Sequence, residues 1–392
     1  MTRRRPVYLD HQATTPLDPR VLEAMLPWLT GDFGNAASRQ HAYGWAAESA
    51  VSAAREEIAA ALGGEPREIL FTSGATESDN LALLGAARAA RGRGNHVVTT
   101  AVEHRAVLDP CRQLAAEGFD VTVLPVEPDG SVRVAAVEEA LTGRTVLVSV
   151  LSANNEVGTL NPVAGIAELC AARGIPLHTD AAQAFGKVPF GVGGGLALAS
   201  LSAHKMHGPK GVGALWVRAR PRVPLAPILF GGGHERGLRS GTLNVPGIVG
   251  FAAAVRLAAR ELDGEAVRLA ALRDRLDAAI RGPLDGVRLN GAPLGADRRL
   301  PGNLSLSFEG VDGERLLAEL RDLAVSSGSA CTTAAGEPSH VLAALGVPAS
   351  LARATLRFGL GRFTTRAEVD LASATVVEAV RFLREERAAL RE

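Results

Sequence analysis

The chain of 392 residues reads as an α/β protein, with a large domain on a mostly parallel sheet and a smaller C-terminal α/β domain. Three observations predict this. From about residue 66 to 217, apolar strand-like runs alternate with helix-like segments, the pattern of βα units. A long run rich in Ala, Leu, Arg and Glu, about residues 245–281, then carries the chain away from that sheet. After a Gly/Pro-rich patch come short strands and a closing helix, about Arg366 to Arg391. The expected division is 15–260 for the large domain, with 1–14 and 261–392 in the small one.

The elements follow in order. EILFTS is a strand leading into a helix from Glu77 to Ala90, NHVVTTA one leading into a helix from Ala106 to Glu117, and TVLVSVLSA one leading into a helix from Val163 to Arg173. IPLHTD, LALASLSA and VGALWVR are further strands in quick succession. NLSLSF and ATLRFGL supply the strands of the smaller domain.

Bulk properties narrow the function. Acidic and basic residues number 42 each, so no net field argues for nucleic acid or a membrane surface. No apolar stretch approaches the roughly 18 residues of a membrane span, and MTRRRPVYLD has no apolar segment behind its basic cluster. A cytoplasmic location is expected. Cys111, Cys170 and Cys331 are too few and too scattered for a disulfide framework, so reduced thiols are expected.

Only three lysines occur. Lys187 and Lys210 lie beside glycines and prolines and read as solvated loop residues, whereas Lys205 follows the apolar run LALASLSA. A lysine at the end of a buried strand is desolvated, which favours the neutral amine a Schiff base requires; an ion-paired structural lysine fits the same position. FTSGATES places Ser73, Gly74, Ala75 and Thr76 where a strand gives way to a helix, a site for either a phosphate or simple capping. Asp180 ends the strand LHTD, with Gln183 three residues on, and reads alone as a helix cap. Together Lys205, Asp180 and the Thr76 turn would share one rim of the sheet. An amine, a carboxylate and an anion cradle are what pyridoxal phosphate needs.

Cys331 lies in SSGSACTTAAGEPS, which has no apolar periodicity and reads as an exposed loop, whereas Cys111 and Cys170 sit in helix-like segments and read as buried and inert. His104, after a strand, suits stacking on a planar cofactor or proton transfer; it equally suits a loop. Arg357 in ATLRFGLGRF suits a substrate carboxylate. His204 and His207 lack further ligands at metal-site spacing, so no resident metal is expected.

With those residues in place the chain resembles, nearly end to end, the cysteine desulfurases of the class V aminotransferase group, which are fold type I pyridoxal-phosphate enzymes. The resemblance rests on FTSGATESDN, VEHRAVLD, NNEVGT, HTDAAQ, SAHKMHGPKG, GGGHERGLRSGTLN, SSGSACTT and LRFGLGRFTT. It implies that Lys205 carries the cofactor as a Schiff base, Asp180 pairs with the pyridine nitrogen, Gln183 bonds the ring oxygen and His104 stacks on the ring. Ala75, Thr76, Ser202 and His204 would bind the phosphate, with Thr242 contributed from the second subunit of a homodimer. Asn35, Asn155 and Arg357 would hold the substrate, Asn155 also facing the cofactor. The implied reaction is L-cysteine to L-alanine, leaving a persulfide on Cys331 in a long mobile loop for an iron–sulfur scaffold or another acceptor. Cys331 is also a candidate for transient iron–sulfur ligation. Selenocysteine lyase and aminotransferase activities on the same fold, and a non-catalytic sulfur carrier, are the rival readings.

Overall fold

The computed structural model describes residues 5–295, 297–327 and 339–389. A seven-stranded sheet forms its larger layer, in the order Ile69–Thr72, Gly213–Val217, Leu198–Ser202, Leu177–Asp180, Thr145–Ser149, His96–Thr100, Asp120–Leu124. Gly213–Val217 pairs antiparallel with both of its neighbours, and the remaining pairs are parallel. The sheet is therefore mostly parallel, as expected. The exception follows from chain length: only the short turn around Lys205 to Val212 separates Gly213–Val217 from the preceding strand, too little for a parallel crossover.

Both faces of the sheet are covered. Val98, Phe71, Ala199 and Trp216 face one apolar cluster, while Val97, Leu70, Leu198 and Leu215 face the other. Alternate residues thus serve opposite cores, and the run reads as continuously apolar for that reason. Helices Ala42–Leu62 and Val245–Arg281 pack into the first core, and Arg105–Ala116 into the second.

Val245–Arg281 has 37 residues, roughly 55 Å of helix. Its first third is buried with the large sheet, through Phe251, Ala254 and Leu257. Its end is buried again through Leu276 and Ile280, now in a cluster with Leu304, Phe308, Phe358 and Val380. That second cluster lies on an antiparallel sheet ordered Thr355–Gly359, Asn303–Phe308, Val287–Leu289, covered by helix Arg366–Ala389. The N-terminal segment joins the same region, since Val7–Tyr8 pairs with Leu323–Ala324 and Leu9 is buried in that cluster.

The parallel strands all end at one rim. Thr72, Thr100, Leu124, Ser149, Asp180 and Ser202 are their last residues, which is where α/β sheets collect ligands.

Candidate active site

A cavity of about 470 Å³ opens at this rim, within the size range of small-molecule sites. Ala75, Thr76, His104, Asn155, Asp180, Gln183, Ser202, His204, Lys205 and Arg357 all contribute to its wall. Asn35 and Thr242 do not; both are exposed. Cys331, with its loop, lies outside the described residues.

Lys205 ends a single helical turn, Ala203–Lys205, directly after strand Leu198–Ser202. Its Nζ donates to the carbonyls of Gln12 (2.6 Å) and Ala13 (2.8 Å), so the N-terminal segment closes over the amine. Thr14 Oγ1 bonds His204 Nδ1 at 3.0 Å, and burial together with the cationic Lys205, Lys210 and Lys187 lowers the His204 pKa to about 4. His204 is therefore a neutral imidazole at working pH.

Asp180 accepts from the Ala182 amide at 2.9 Å. Burial, reinforced by the negative charge of Asp79, raises its pKa to about 6, while His104 works the other way. The carboxyl group is thus primed for a cation. Behind it stand two further acids that the sequence reading passed over. Asp79 is fully buried, with His178 Nε2 at 3.5 Å, and burial raises its pKa to about 7. Glu103 is fully buried too, accepts from Thr100 Oγ1 and the Leu151 amide, and is raised well above the ordinary carboxyl range by burial. His178 is fixed between Ser149 Oγ and Ser200 Oγ, at 2.9 Å each, and burial pushes it down to about 4.

His104 caps helix Arg105–Ala116, its Nδ1 accepting from the Ala106 amide at 3.1 Å. In the neutral ring the proton then sits on Nε2. Burial lowers the pKa of His104, partly offset by Asp180. Asn155 follows Asn154, whose side chain accepts from the amides of Glu156 and Val157 and donates to the Val102 carbonyl. This pins the NNEVGT turn and leaves Asn155 on the cavity wall.

Arg357, in the middle of strand Thr355–Gly359, is 2% exposed. It donates to Asp10 Oδ1 (2.7 Å), Ser326 Oγ (3.2 Å) and the Asn155 carbonyl (3.2 Å), and its Nε has no partner among the described residues. The Asp10 pair holds the guanidinium at the cavity with donor capacity to spare.

The anion cradle is built by close approach. At Gly213 a Cβ would lie 2.4 Å from the Leu201 carbonyl oxygen and 2.7 Å from Gly74 Cα, so only glycine lets the strand pass under the Ser73–Gly74 turn. Helix Ala75–Asn80 starts there and continues through residue 89, so its first amides are free to meet an anion. Glu77 caps the Ser73 amide and is itself held by Arg239 at 2.7 Å.

Lys187 departs from the expectation of a solvated loop lysine. Its Nζ donates to Gln183 Oε1 at 2.6 Å, and burial lowers its pKa to about 7. Gly186 has φ +77°, a turn that brings Lys187 back toward the site. Lys210 is exposed, and Cys111 and Cys170 are buried thiols whose pKa burial raises to about 12.

An amine, a half-buried carboxyl and an anion cradle on one rim fit pyridoxal phosphate, and define a Schiff-base enzyme of the α/β class. The comparisons with known proteins narrow that class. The aminotransferase class-V family model matches residues 7–371. The cysteine desulfurase IscS of Anaeromyxobacter dehalogenans (strain 2CP-C) is 55% identical over 381 residues, covering 97% of this chain and 94% of that protein. Among solved structures, a NifS-like protein aligns with a TM-score of 0.89 at 39% identity, covering 96% of this chain and all of the other. SspA in complex with cysteine aligns with a TM-score of 0.79 at 36% identity, covering 91% of this chain and 99% of the other. The chain belongs to the class-V aminotransferase family, among its cysteine desulfurases.

Proposed function

We propose that the chain is a homodimeric, cytoplasmic cysteine desulfurase that uses pyridoxal phosphate to move the sulfur of L-cysteine onto Cys331 and on to an iron–sulfur scaffold or another acceptor. The observation that carries this reading is the convergence of Lys205, Asp180 and Arg357 on one cavity. The division 15–260 against 1–14 with 261–392 is part of the same proposal, supported by the two separate apolar clusters that the long helix joins.

When bound, the cofactor supplies an electron sink for charge developing at the substrate Cα. Lys205 would hold it covalently and, once released, take the Cα proton on Nζ. Asp180 would pair with the pyridine nitrogen; a ring cation there would lower a carboxyl that burial and the neighbouring Asp79 have raised. Gln183 would bond the ring oxygen and His104 would stack on the ring. Ala75, Thr76, Ser202 and His204 would bind the phosphate, joined by Thr242 of the second subunit, whose exposure leaves it available to a partner. Arg357, Asn155 and Asn35 would hold the substrate. The Cys331 thiolate would attack the substrate sulfur. The new S–S bond forms as the Cβ–S bond breaks, its electron pair staying on carbon, which is then protonated to give alanine.

The test is turnover of L-cysteine by purified, cofactor-loaded protein with a reductant. Alanine and sulfide in equal amounts are expected, and absence of either refutes the reaction. Cys331→Ala separates this from a transaminase, which would keep turning over.

A further inference from the structure

We propose that Lys187 is a positioning residue for the cofactor pocket, acting through Gln183: its Nζ holds Gln183 Oε1 and so turns the Gln183 amide nitrogen to the carbonyl of Gln12. The three contacts form a chain. Lys187 Nζ donates to Gln183 Oε1 at 2.6 Å, Gln183 Nε2 donates to the Gln12 carbonyl at 2.9 Å, and Lys205 Nζ donates to that same carbonyl at 2.6 Å. Two lysines, eighteen positions apart, thus meet at one backbone oxygen through one amide.

The chemistry of the amide gives this consequence. A glutamine presents an acceptor at one end of its side chain and a donor at the other, and nothing intrinsic decides which faces the site. Lys187 and the Gln12 carbonyl decide it together, since an amine bearing N–H donors binds the oxygen while the carbonyl accepts from the NH₂ group, which is left inward. An inward NH₂ can donate to an anionic ring oxygen; an inward carbonyl would repel it. This step rests on the reading of the cavity as the cofactor site.

Lys187 suits the task. It also walls a smaller cavity of about 60 Å³, shared with Lys205, Gln12, His11 and His207. Burial, with Lys205 and Arg357 adding to it, lowers the amine to about 7.

The test uses cofactor-loaded protein and reads binding and spectrum. In Lys187→Met the Gln183 oxygen loses its donor, and retention of pyridoxal phosphate on dilution should weaken about tenfold, the scale of one unsatisfied buried polar atom. The visible absorption maximum should move, because the ring oxygen loses an oriented donor. Lys187→Arg, which keeps N–H donors, should restore both. In a Gln183→Ala background the methionine substitution should add almost nothing, as expected for residues acting in one chain. Should Lys187→Met not fold, Lys187→Leu, which also lacks an N–H donor, enters the same cycle. A wild-type band and wild-type retention in Lys187→Met, or additive losses in the double variant, would overturn the proposal. Protein that binds the cofactor but leaves L-cysteine intact would overturn the reaction and leave this inference standing.

Discussion

Replacing Arg357 by lysine keeps one positive charge in the cavity and removes the planar fork. In the structure the guanidinium divides its donors among Asp10, Ser326 and the Asn155 carbonyl, with Nε left over. A lysine is shorter and carries three donors at one point, so it can satisfy Asp10 or reach a substrate carboxylate, and not do both in bidentate geometry. The net loss is one charge-assisted hydrogen bond, about 1.5–3 kcal/mol. Such a loss raises KM for L-cysteine roughly ten- to a hundredfold. On the proposed placement the guanidinium would bind the carboxylate equally in ground and transition states, so kcat should change by only a few fold, about threefold at most. The assay is the initial rate of alanine formation against L-cysteine concentration, with the visible cofactor band as a control for an intact site. A KM within about twofold of the parent protein would refute the placement of the substrate carboxylate at Arg357.

Other perturbations test the surroundings. Asp79 has its pKa raised to about 7 from an ordinary 3.8, so its protonated form is favoured by folding. Its contribution is fully present below pH 3.8 and is lost as pH rises through about 7. Asp79→Asn should therefore gain stability relative to the parent across that window, by up to about 4 kcal/mol; denaturant midpoints at several pH values measure it, and a pH-independent difference would count against a buried, protonated Asp79. Gly213→Ala drives a Cβ against the Leu201 and Gly74 backbones, at a cost of about 1–3 kcal/mol, and should weaken both the melting temperature and the titration with pyridoxal phosphate. An unchanged titration would mean that the Gly74 turn does not cradle the phosphate. Cys111 and Cys170, raised to about 12, should resist alkylation at pH 8 in the folded protein while Cys331 reacts, as peptide mass mapping would reveal.

Much of the large sheet was legible because both its faces are buried. Residues such as Val97 and Val98 serve opposite cores, and the apolar run that results needs no partner to be recognised. The expected long helix spans the residues anticipated, Val245–Arg281. The antiparallel strand Gly213–Val217 was less visible, since strand direction depends on where the chain turns rather than on composition. At the site, Asp180 stood out because it ends a strand and Lys205 because it follows one by a single turn, positions the local pattern marks. Lys187 did not. Its neighbours Gly186 and Pro189 spell a solvated loop, and only the left-handed turn at Gly186 brings its amine to Gln183. Asp79, Glu103 and His178 were hidden for a related reason. Each is polar in an apolar or helical stretch, and its environment comes from other strands: Ser149 and Ser200 flank His178 from two different ones. The closing of Lys205 by Gln12 and Ala13 spans 193 and 192 positions of the chain and leaves no local mark.

The central claim is that sulfur leaves L-cysteine in the Lys205 cavity and arrives on Cys331. Its most direct measurement is a single turnover of cofactor-loaded protein with L-cysteine and no reductant, followed by trapping of thiols and peptide mass analysis. The peptide bearing Cys331 should gain the mass of one sulfur atom while alanine appears in equal amount, and Lys205→Ala should abolish both. Alanine formed with Cys331 left unmodified, or sulfur found on Cys111 or Cys170 instead, would contradict the account.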